Sequence, residues 1–111
     1  MSHEQAIAEA ATYLHGRGFD ILSREWRIRS TAADHLCIVA RDGAQIVVVS
    51  VTEGSAADIT PLAYERINWL LGWWVIQFRE RRTRFRVDQI SVQLQHGGYV
   101  LEHARGVTPR V

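Results

Sequence analysis

Apolar residues recur at Ala6, Ile7, Ala10, Ala11 and Leu14, the spacing of one helix face, and predict a helix over Glu4–His15. Gly16 and Gly18 end it, the first as a left-handed cap. Phe19, Ile21 and Trp26 lie in a β-prone stretch interrupted by Ser23, Arg24 and Glu25, and residues 30–33 read as a loop. The runs His35–Ala40 and Gln45–Thr52 flank Arg41-Asp42-Gly43-Ala44, where the Asp-Gly step predicts a hairpin. Ile46-Val47-Val48-Val49 and Val51 have Ser50 as their one polar alternate, so this strand should be covered on both faces, at the centre of a sheet.

Residues 53–58 are small and loop-like, after which the pattern is helical from Pro61 to Arg82, with Thr60 as N-cap. In Arg84–Gln95 the alternation returns: Ile90, Val92 and Leu94 point one way, Ser91, Gln93 and Gln95 the other. His96-Gly97-Gly98 turns the chain into a last strand, Tyr99–His103. The order α-β-β-β-α-β-β predicts an α/β fold with a mixed sheet of about five strands and two helices, since a strand–helix–strand unit forms a right-handed crossover. Residues 1–104 make one domain and residues 105–111 a loose tail.

Composition narrows the chemistry. A chain of 111 residues, 47% apolar and 23% charged, supports one ordinary core and is no disordered segment. Cys37 is the sole cysteine, which excludes an internal disulfide and a multi-cysteine zinc site. No basic and apolar leader is visible, and Arg79–Arg82 cut short the longest apolar run, so no membrane span and a cytoplasmic location are expected. The thirteen basic residues are all arginine, against twelve acids. A net charge of +1 is too small to coat nucleic acid by charge alone, and the lack of lysine rules out Schiff-base and P-loop chemistry. No cofactor is implied.

Ala10 with Tyr13-Leu14, Gly18, Ile21-Leu22, Trp26-Arg27, Ala40-Arg41-Asp42-Gly43, Val47-Val48-Val49 with Val51, and Arg86-Val87-Asp88 fall in one order and spacing over nearly the whole chain. In this the sequence resembles the YraN family, small bacterial proteins of restriction-endonuclease-like fold grouped with Holliday junction resolvases. The resemblance implies that fold and a site of the PD-(D/E)xK type, in which acids and a lysine on neighbouring strands hold a divalent metal. Aligned on Ala40-Arg41-Asp42-Gly43, the site positions fall on His35 and Cys37, on Ser50 and Thr52, on Ile7 of the first helix and on Ala63 before the long helix. Every position that would carry the chemistry differs, while those that build the fold remain. The expectation is a degenerate, non-enzymatic relative with no metal, acting as a module that binds nucleic acid or protein.

Two other readings compete. Asp34 and Glu53 could act as displaced acids of an active metal-dependent nuclease, but strand alternation puts each on the opposite face from its aligned neighbour. A thiol mechanism at Cys37 lacks a base, since His35 lies about 7 Å along the same strand. The long helix offers a third reading. Ile67, Leu70, Leu71, Trp74 and Phe78 form a docking stripe, while Trp69, Trp73 and Ile76 form a second strip suited to a homodimer seam or a partner. Arg79, Arg81, Arg82, Arg84 and Arg86 crowd the helix exit and form the candidate surface for DNA, RNA or an acidic partner.

Overall fold

Helix α1 (His3–Gly16) starts at Ser2, whose hydroxyl accepts from the Gln5 N–H while the Gln5 side chain accepts from the Ser2 N–H. This reciprocal cap satisfies two main-chain donors that a helix start leaves open. Strands β1 (Asp20–Arg29), β2 (Asp34–Asp42) and β3 (Gln45–Glu53) follow, then α2 (Pro61–Phe78), β4 (Arg84–Gln95) and β5 (Gly98–Ala104). The computed structural model describes residues 2–29, 34–54, 59–78 and 84–109, with the side chains of residues 25–29, 34–36, 70, 73–78 and 84 outside that set.

The sheet order is β1-β2-β3-β4-β5, antiparallel throughout except for the parallel β3–β4 pair that α2 connects. The α/β fold with a mixed five-stranded sheet and two helices is therefore present in the expected order. β3 lies at its centre. Alternation along β3 divides the core in two. Val47, Val49 and Val51, with Ile38, Ala40, Ile90 and Val92, pack under Ala6, Ile7, Ala10, Ala11 and Leu14 of α1. Ile46 and Val48, with Cys37, Val39 and Val87, pack under Ile67 and Leu71 of α2. A strand buried on both faces needs apolar residues at nearly every position, which is why the valine run shows no polar alternation.

Several local expectations change. The residue with positive φ after α1 is Gly18 (φ 87), while Gly16 is still helical and Arg17 is the C-cap. β1 runs through Ser23-Arg24-Glu25, and its pairing with β2 shifts register there instead of ending. Gly43 alone supplies the positive φ (60) of the β2–β3 turn, a type II′ pattern. Thr60 caps α2 by accepting from the Ala63 N–H at 3.1 Å. The segment after Ala104, read from sequence as a loose tail, is anchored as far as Val107: its N–H donates to the Val87 carbonyl at 2.8 Å, and its side chain packs on the α2-side core.

Leu14 is fully buried on the α1 side. Leu14→Ala is expected to cost about 3 kcal/mol with an unchanged urea m-value, whereas Trp69→Glu should change stability by less than about 0.5 kcal/mol. Urea titrations of the two variants measure both.

Candidate functional site

Register brings part of the aligned constellation together. Cys37 is paired with Ser50 across β2–β3, and Thr52 follows two residues on. All three share the parity of Val39, Ile46 and Val48, so they face α2. Ala63, on α2, packs against that same side. Ile7 does not join them, because it is a core residue under α1 on the opposite face of the sheet. His35 lies in β2, and its side chain falls outside the described residues.

The chemistry of this α2 face is muted. Cys37 is 1% exposed, and burial pushes its thiol pKa up to about 12, so it remains a thiol at any ordinary pH. Thr52 and Ser91 are opposed across the parallel β3–β4 pair, and their buried hydroxyls have no hydrogen-bond partner among the described residues. A neutral thiol and hydroxyls do not fit a divalent cation of the magnesium type, which takes carboxylate oxygens. Among the described residues no group of three His, Cys, Asp or Glu side chains converges to hold a metal. Glu53 shares the parity of Val51 on the α1 side, away from Thr52, and its carboxylate lies 3.3 Å from His3 Nδ1. The Asp34 side chain is outside the described set.

The dense polar centre lies instead on the α1 face. Asp88 is fully buried, and four nitrogen atoms of three residues meet its carboxylate. Arg86 Nε donates to Oδ1 at 2.8 Å and its terminal nitrogen to Oδ2 at 3.1 Å. The Gly106 N–H donates to Oδ1 at 3.0 Å, and His103 Nε2 lies 2.8 Å from Oδ2. His103 Nδ1 is 3.2 Å from the Tyr13 hydroxyl on α1, and a proton on Nε2 satisfies both imidazole contacts. Arg86 reaches onward to Asp42 at 3.0 Å and Gln45 at 2.8 Å, fastening the β2–β3 turn. Burial works to raise the Asp88 pKa, but Arg86, the Gly106 N–H and His103 outweigh it and hold the carboxyl below the usual range.

This network corrects one surface assignment. The Arg86 side chain is 16% exposed with its guanidinium bound to Asp88, Asp42 and Gln45, so it is not part of an open basic patch. Arg79, Arg81 and Arg82 lie outside the described residues, as does the side chain of Arg84. On α2, Trp69 is 71% exposed, while Trp73 and Ile76 have side chains outside the described set. His103 was not singled out from sequence. Nothing around it has motif spacing, and it becomes visible only when β5 pairs with β4 and sets it beside Asp88.

Two outcomes follow. Asp88→Asn should cost about 3 kcal/mol at neutral pH, because Arg86 and His103 lose a charged, buried partner. Since the folded-state pKa of Asp88 is depressed, its stabilisation is complete above the unfolded value of about 4 and is lost as pH falls through the folded value. The gap between wild type and Asp88→Asn should therefore narrow in acid, as urea titrations across pH measure. Cys37 should react with thiol reagents much faster after denaturation than in the native state.

No family model matches the chain. A UPF0102 protein of Streptomyces coelicolor is 37% identical over 88% of this chain and 81% of its own length. A UPF0102 protein of Mycolicibacterium gilvum is 32% identical over 88% of the chain and 85% of its own. One from Chloroflexus aurantiacus is 31% identical over 85% and 79%. At that identity over most of both lengths, the chain belongs to the UPF0102 family, the YraN family that its sequence resembles.

Proposed function

We propose that this chain is a non-catalytic member of its family, a nuclease-like scaffold that works by binding a protein partner. The observation that carries the reading is the Cys37–Ser50 pair at the centre of the sheet, where the family resemblance implies carboxylates. One of these residues is a thiol held at about 12, and the other is a hydroxyl. Neither can ionise to hold a hard cation or to activate water at neutral pH. The fold around them needs no such chemistry, since apolar contacts to α1 and α2 hold the sheet on both faces.

A protein partner is favoured by the exposed aromatic side chain on α2. Arg86 is engaged within the fold, while Trp69 presents most of its indole to solvent on α2. Large exposed aromatic side chains are characteristic anchors of protein interfaces.

Incubation of the purified protein with branched, single-stranded and duplex DNA in magnesium or manganese tests the proposal. No cleavage above a metal-free control is expected. Metal-dependent cleavage that disappears in Glu53→Ala or Asp34→Ala would overturn the reading and establish displaced acids.

A further inference from the structure

The two outer strands of the sheet are built differently. β1 carries Asp20, Arg24, Glu25, Arg27 and Arg29 among its ten residues, and its pairing shifts register twice. Charges and bulges are the usual protection of a sheet edge against further pairing. β5 has neither. Its seven residues pair with β4 without interruption, and Glu102 is its one carboxylate. Tyr99 and Val100 are 38% and 44% exposed, beside Leu94 at 55%. Among the described residues no strand pairs with its outer side.

The turn fixes which main-chain groups face outward. His96 and Gly97 both have positive φ, 49 and 79, so Gln95–Gly98 closes a two-residue type I′ hairpin as a hydrogen-bonded pair. Alternation then directs the N–H and C=O of Tyr99, Leu101 and His103 away from β4.

We propose that β5 pairs antiparallel with β5 of a second copy of this chain, about a two-fold axis at Leu101, to give a continuous ten-stranded sheet. In this register Gly98 faces the second copy's Ala104, Tyr99 its His103, and Val100 its Glu102. The outward groups of Tyr99, Leu101 and His103 then form about six main-chain hydrogen bonds. Sliding by two residues one way sets Glu102 against its own copy, and sliding the other way leaves His103 without a strand partner. Charge and bond count therefore select one register. The contact covers the outer edge of β5, with Tyr99 and Val100, in both copies, a small interface that implies a reversible dimer. This surface is separate from Trp69 on α2, so it leaves that helix open to a different partner.

Sedimentation equilibrium over a concentration series up to about 0.5 mM tests the proposal, because a dimer of tens of micromolar affinity is populated there. Val100 is an exposed side chain, and circular dichroism checks that its variants fold. Val100→Glu should weaken association about tenfold or more by facing the second copy's Glu102 twice, while Val100→Lys should tighten it by pairing with the same carboxylate. Tyr99→Pro, which removes an outward N–H from the edge, should abolish dimerisation, and Trp69→Glu should leave it unchanged. A wild type that stays monomeric, equal weakening by both Val100 substitutions, or loss of the dimer in Trp69→Glu would each overturn the proposal.

Discussion

A carboxylate with no exposure to solvent must be met by hydrogen bonds or lose its charge, and the way Asp88 is met organises much of this molecule. Its partners come from three parts of the chain: Arg86 beside it on β4, His103 on β5 and the Gly106 main chain beyond the last strand. Through Arg86 it reaches Asp42 and Gln45 at the β2–β3 turn, and through His103 it reaches Tyr13 on α1. One buried charge thus ties the edge strand, the first helix and a hairpin to the sheet. The stacking of Arg105 and Arg86 near the Phe19 ring, 5.6 and 5.9 Å from its centroid, closes the apolar side of the same site.

The opposite face of the sheet is ruled by a different balance. There Cys37, Ser50 and Thr52 stand where the family resemblance implies charged groups, and they lie under α2 among aliphatic side chains. A face with no formal charge at those positions needs no counterion to stay folded. On the α1 side Tyr13, Arg86 and Asp88 help to hold the architecture together.

Much of this was legible in the chain. The unbroken valine run marked β3 as the central strand, and the Asp42-Gly43 step marked its hairpin, because both depend on residues close in sequence. Thr60 before Pro61 marked the start of α2 for the same reason. The Asp88 network was only half legible. Asp88 and Arg86 lie two apart on one strand face, but His103 and Gly106 reach them only after β5 folds back, a contact across fifteen or more residues that no periodicity encodes. The role of Arg86 was misread from sequence for that reason. A cluster of arginines looks the same whether its members face water or a buried carboxylate. The anchoring of Val107 was missed likewise, since it depends on a main-chain bond to Val87.

If the chain is non-catalytic as proposed, the sheet face under α2 should hold no metal ion while the fold around it is intact. Manganese titration followed by amide NMR tests this directly, because a bound paramagnetic ion broadens the signals nearest to it. The account predicts no selective broadening at Cys37, Ser50 or Thr52 through millimolar manganese. Saturable broadening centred on those three residues would contradict it.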